Sequence, residues 1–204
     1  MANIPIPIPT RHARTAPPAS PPTARRPGDR SPDRSAPTGL PPAAGTPVTP
    51  AVTPALTPAA LRTLVSELAE RPEEWIGKVR LSVGDRWYER LSGGPDHEIW
   101  LISWLPGQST GFHDHGGSRG AFTVALGELE ELSLGEADGE LHSRRLPAGT
   151  VRAFGPAFLH DVRNTAGGPA VTIHAYSPPL SAMARYELRA SGLRRTAVEV
   201  AEQW

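Results

Sequence analysis

The chain has 204 residues, with 21 basic and 21 acidic side chains and no cysteine. Balanced charge leaves no electrostatic footprint for nucleic acid, and without cysteine there are neither disulfides nor thiolate zinc sites. No apolar run approaches transmembrane length, so no membrane partner is expected.

Residues 1 to 58 hold 16 of the 24 prolines, six arginines against two aspartates, and no aromatic residue. Such a segment cannot bury enough apolar surface to offset the entropy of ordering. Residues 1–57 are therefore expected to be a disordered, polyproline-like tail. It lacks the continuous apolar stretch of a secretory signal. A solvated linker or a misplaced start codon accounts for it, with cytoplasmic residence as the default. Residues 58–204 carry all five tryptophans, with 15 basic against 19 acidic side chains. A segment of that size can build one core.

Thr57-Pro58 reads as the start of a helix, with threonine as N-cap and proline at the first helical position. Leu61, Leu64, Val65 and Leu68 then mark one apolar face. A short turn with Trp75 and Ile76 follows. From about Arg86 the pattern changes to short strands between glycine and proline turns. Strands are predicted near 86–91, 97–105, 111–115, 120–126, 128–134, 140–146, 150–154, 159–164 and 170–176, with two more near 184–189 and 194–200. So many short strands imply an antiparallel sandwich or barrel. The acidic run Glu128 to Glu131 reads as a solvated strand edge. His12, His97 and His142 have no context that suggests a site.

His113 and His115 stand at i and i+2, which on a strand puts both imidazoles on one side of the sheet. A third histidine, His160, is available from a later strand. Gly107 and Gly127 frame this segment in a way that resembles the first motif of the cupins. The resemblance implies a mainly β fold, a double-stranded β-helix or jelly-roll barrel with N-terminal helices. Where the general cupin motif places a glutamate ligand stand Arg119 and Gly120, so the expected donor set is three neutral imidazoles.

Four stretches extend the likeness: Trp87-Tyr88-Glu-Arg90, His113-Asp-His115-Gly-Gly-Ser-Arg-Gly120, Leu159-His160-Asp-Val-Arg-Asn164 and His174-Ala-Tyr176-Ser-Pro-Pro179. Their order and separations are similar to those of the cysteine dioxygenase type I family, in its bacterial branch. The resemblance implies iron(II) on His113, His115 and His160, and imidazole suits that metal, although zinc also takes three histidines. It assigns Arg90 to the carboxylate of a bound thiol, for which a guanidinium fork is suited, with Tyr88 beside it. Thr172, His174 and Tyr176 would form a hydrogen-bonded relay ending at a phenol near the metal. In the animal enzymes a cysteine at the place of Gly120 is joined to the tyrosine, so here the phenol is expected to be uncrosslinked.

The function implied is oxidation of L-cysteine by dioxygen to cysteine sulfinic acid, by a monomer whose partners are a small thiol and O2. Alternatives are a dioxygenase for 3-mercaptopropionate or another small thiol, and a cupin that binds a ligand without redox chemistry. Fold alone does not separate these.

Overall fold

The computed structural model describes residues 54–135 and 139–201. The tail expected over 1–57 therefore lies, up to residue 53, outside the described residues, as does His12.

Helix α1 spans Pro58–Ala69 and begins as its sequence dictates. Thr57 is extended, its side-chain oxygen accepts from the Ala60 N–H at 3.2 Å, and proline occupies the first turn. Leu61, Val65 and Leu68 are buried on one face. Two 3-10 turns, Pro72–Glu74 and Ile76–Lys78, follow and flank Trp75. The buried indole of Trp75 donates to the Leu68 carbonyl at 3.1 Å, which ties the turns back to the helix.

The strands are β1 (Trp87–Gly93), β2 (Glu98–Trp104), β3 (Phe112–His113), β4 (Arg119–Leu126), β5 (Glu128–Leu134), β6 (Leu141–Pro147), β7 (Val151–Phe154), β8 (His160–Arg163), β9 (Ala170–Ser177), β10 (Ala182–Arg189) and β11 (Gly192–Val200). They form two antiparallel sheets, ordered β1-β2-β9-β4-β7 and β11-β10-β3-β8-β5-β6. Consecutive strands alternate between the sheets from β2 to β5 and again from β6 to β10, as in a jelly roll, with β5 and β6 joined as a hairpin. The cupin architecture expected from the sequence is present. Among the described residues no helix is long and apolar enough to cross a membrane.

The register of the first sheet explains how it positions a site. Ile99, Leu101, Ile173, Ala175 and Ala121 turn to its outer face, where Leu61, Val65 and Leu68 of α1 cover them. The alternate residues turn into the barrel. One row across it reads Arg90, Trp100, His174, Phe122, Arg152, and the next Glu98, Tyr176, Gly120, Phe154. Both faces are covered, so all eight residues of β9 are buried, the apolar Val171, Ile173 and Ala175 toward α1 and the polar Thr172, His174 and Tyr176 into the barrel.

Candidate metal centre

The donor histidines come from the second sheet. His113 pairs with His160 across β3 and β8, so their side chains share a face. Regular pairing ends at His113, shorter than the strand predicted over 111–115, because the Asp114 side chain takes over part of the ladder. Its Oδ1 accepts from the N–H groups of Ala184 and Gly116 at 2.9 and 3.0 Å, and its Oδ2 accepts from the Tyr186 hydroxyl at 2.8 Å. The aspartate of His-Asp-His thus pins the backbone that carries His115. Gly116 follows at φ +58°, where a Cβ would lie 2.3 Å from the Ala182 carbonyl oxygen. Only glycine fits that turn.

His113, His115 and His160 each offer a ligand nitrogen, and these atoms lie within 4.8 Å of one another. All three side chains are buried. His113 Nδ1 lies 3.0 Å from the Gly111 carbonyl, and His160 Nδ1 lies 2.9 Å from Glu131 Oε1. Each of those nitrogens therefore carries the proton and donates, which leaves Nε2 free to bind a metal. Among the described residues neither buried ring nitrogen of His115 has a hydrogen-bond partner. A buried imidazole is not left so without cost, and a metal ion on one nitrogen would relieve it. Burial first, then the neighbouring histidines, holds His113 and His115 well below the usual imidazole range, in the neutral form that ligation needs. The donor set fits a metal ion.

Glu131 corrects the reading of its acidic run as a solvated edge. It is 2 % exposed, bonded to His160 and also, through Oε2, to the Arg152 Nε–H at 2.7 Å. Burial alone would raise its pKa, but the His160 hydrogen bond and the Arg152 charge outweigh that and hold it below the usual glutamate range. The alternation of β5 turns Leu129 and Glu131 inward, and Arg152 on the opposite sheet supplies the counter-charge. Sequence reasoning missed both. The available signal was an apolar–acidic alternation, Leu129-Glu-Glu131, entering a barrel.

Thr172, His174 and Tyr176 come together as expected from their spacing. His174 Nε2 lies 2.8 Å from Thr172 Oγ1, and His174 Nδ1 lies 3.1 Å from the Tyr176 hydroxyl. Trp104, which the sequence did not flag, anchors this relay. Its indole N–H donates to Thr172 Oγ1 at 2.9 Å, and the threonine hydroxyl also lies 3.4 Å from the Ile102 carbonyl. The two ring nitrogens of His174 thus link the threonine hydroxyl to the phenol. Burial holds His174 down at about 3. Burial and the nearby Glu98 push the Tyr176 phenol above its ordinary value. Both groups are neutral over the physiological range.

Tyr176 stacks beside His115 with ring centroids 5.3 Å apart, and Phe154 covers the same imidazole at 4.6 Å. A Cβ at Gly120 would lie 2.3 Å from Phe154 Cζ and 3.1 Å from Tyr176 Cδ1. Glycine is therefore demanded by close packing.

Arg90 sits on the inward row with Trp100 and His174, but its side chain is 60 % exposed and its Nη1 lies 3.9 Å from Glu98 Oε2. Tyr88 packs edge-on against Trp100 at 6.0 Å, and among the described residues no hydrogen bond joins it to Arg90. Asp161 and Asn164 serve the frame. Asp161 accepts from Ser109 and Thr110 and pairs with Arg163, while Asn164 donates to the Trp104 and Gly168 carbonyls. His97 bonds to Asp96 at the surface.

A family model described as cysteine dioxygenase type I matches residues 58–189, which takes in the three histidines, the Thr172-His174-Tyr176 series and Arg90. The chain belongs to the cysteine dioxygenase type I family. A curated member, cysteine dioxygenase type 1 of Danio rerio, is 24 % identical over 140 residues, covering 63 % of this chain and 69 % of that protein. Among solved structures, a Klebsiella pneumoniae conserved protein with a double-stranded β-helix domain aligns at TM-score 0.45 and 22 % identity. That alignment covers 50 % of this chain and 80 % of the other. An RmlC-like cupin from Desulfovibrio desulfuricans aligns at TM-score 0.43 and 22 % identity, covering 50 % and 90 %.

Proposed function

We propose that the chain is an iron(II)-dependent thiol dioxygenase that oxidises L-cysteine to cysteine sulfinic acid. The observation that carries this reading is the buried His113–His115–His160 cluster facing the Tyr176–His174–Thr172 relay, within a chain of this family. Iron held by the three imidazoles would supply the redox chemistry by which both atoms of O2 join the substrate sulfur, R–SH + O2 giving R–SO2H. With no carboxylate among its donors such a site is more positive than a two-histidine, one-carboxylate centre, which favours an anionic thiolate.

The protein's own residues bind and orient. Arg90, on the inward row of β1, receives the substrate carboxylate. Tyr176, held in place by its hydrogen bond with His174, directs its hydroxyl at the reacting thiol or its oxygenated product. Phe154, Phe158 and Phe122 pack round the imidazoles and exclude water. Arg152 and Glu131 hold His160 in the tautomer that leaves Nε2 free. The proposal extends to a monomer acting in the cytoplasm, with a small thiol and O2 as its partners. Its test is a comparison of kcat/KM for L-cysteine and 3-mercaptopropionate by oxygen uptake of the iron-loaded protein. Preference for cysteine supports the reading. Preference for 3-mercaptopropionate would replace the substrate, and uptake with neither thiol would end it.

A further inference from the structure

Glu98 stands on the inward face of the first sheet, where its neighbour across β2 and β9 is Tyr176. Directly opposed residues of an antiparallel pair share a face, with Cβ atoms about 4.5–5.5 Å apart. The Tyr176 ring in turn stacks on His115, with centroids 5.3 Å apart. A single side chain therefore separates Glu98 from the candidate metal centre.

The side chain is buried, with 4 % of the residue exposed, and its two oxygens are treated differently. Oε1 accepts from the Leu180 N–H at 2.9 Å, which fastens the segment after β9 to β2. That oxygen serves the fold. Oε2 accepts no hydrogen bond among the described residues. Its ion-pair partner is Arg90 Nη1 at 3.9 Å, beyond hydrogen-bond length, on a side chain 60 % exposed. A carboxylate withdrawn from water is costly unless its lone pairs are met, and a water-screened guanidinium at that distance meets little of the demand. What Oε2 lacks is a donor inside the barrel.

An amino group supplies that donor, and an N–H given to an ionised acceptor makes one of the stronger hydrogen bonds. A thiol that carries a carboxylate alone, such as 3-mercaptopropionate, brings no N–H to Oε2. It also adds a second anion to a guanidinium that Glu98 already faces. We propose that Glu98 is a specificity-determining residue, the acceptor for the amino group of the bound thiol, which selects aminothiols over thiols bearing only a carboxylate. The proposal rests on the thiol dioxygenase reading for the nature of the ligand, and it adds the residue that reads the amino group.

The test is binding without turnover. Iron-loaded wild-type protein, Glu98→Gln and Glu98→Asp would be dialysed to equilibrium under argon against three thiols. These are L-cysteine, cysteamine, which lacks the carboxylate, and 3-mercaptopropionate, which lacks the amine. Glutamine keeps an oxygen for the Leu180 N–H and removes the charge. Wild type should bind L-cysteine more tightly than 3-mercaptopropionate. In Glu98→Gln the ratio of those two affinities should fall roughly tenfold or more, the scale for a hydrogen bond to a charged group, and cysteamine should weaken along with cysteine. Glu98→Asp, which retains the charge, should keep part of the preference. Because each ratio is read within one preparation, a fraction of unfolded protein lowers all affinities alike and leaves the ratio unchanged. A ratio in Glu98→Gln within twofold of wild type, wild type that binds 3-mercaptopropionate as tightly as cysteine, or wild type that binds none of the three would overturn the proposal. Selectivity that depends on Glu98 in a protein that forms no sulfinate in air would instead sink the dioxygenase reading alone.

Discussion

Replacing Glu131 by glutamine probes the link between the second sheet and the metal centre. The carboxylate accepts from His160 Nδ1 at 2.9 Å and from Arg152 Nε at 2.7 Å, and it is 2 % exposed. A glutamine of the same shape has one acceptor oxygen for two donors, so its amide must meet an N–H of one partner head-on. Breaking one side of a buried ion pair costs about 3–5 kcal/mol. Arg152 keeps 23 % of its side chain exposed, so water solvates part of the orphaned guanidinium and the lower end, about 3 kcal/mol, applies. His160 also loses the acceptor that fixes its tautomer, for which a loss of about 10–100-fold in metal affinity is expected. Urea unfolding of the metal-free protein reads the first quantity and competition with a chelator reads the second. Leucine at 131 together with methionine at 152 removes both charges and should recover much of the stability without restoring metal affinity. If Glu131→Gln bound iron within twofold of wild type, the claim that Glu131 orients His160 would be wrong.

Tyr176→Phe should bind iron as wild type does but lower kcat by about 10²-fold, the scale for losing one hydrogen-bond donor to developing charge. An unchanged kcat would remove the phenol from the chemistry. Gly120→Ala should destabilise by about 1–3 kcal/mol through overpacking against Phe154. A second change, Phe154→Leu, should restore the melting temperature, and an unaltered melt of the single variant would contradict the packing. His174, about 3 in the fold against 6.5 when unperturbed, remains neutral while the unfolded chain takes up a proton. Its contribution to stability is thus present above about pH 6.5 and lost as pH falls toward 3, by at most about 1.4 kcal/mol per pH unit. Urea midpoints of the metal-free protein should fall over this range, and more gently in His174→Asn. Parallel profiles for the two would refute the assignment.

How much of this could be read from sequence depended on the kind of signal each residue gives. Glycine and proline turns placed the strands to within about two residues, because turns need those residues locally. The three histidines and the Thr172-His174-Tyr176 series were legible because period-two spacing fixes which side a strand residue takes. Glu131 was not. Its burial depends on Arg152, which comes 21 residues later on the other sheet, and a run of acidic residues looks the same whether one of them meets a cation or water. The shortness of β3 was equally illegible, since it follows from a tertiary contact of the Asp114 side chain with β10.

The most direct test of the central claim is the fate of dioxygen itself. Iron-loaded protein would be given L-cysteine under isotopically heavy dioxygen in ordinary water, and the product analysed by mass spectrometry. A thiol dioxygenase yields cysteine sulfinic acid in which both sulfinate oxygens carry the heavy isotope, one product for each dioxygen consumed. Sulfinate with oxygen drawn from water, or cystine as the main product, would contradict the account.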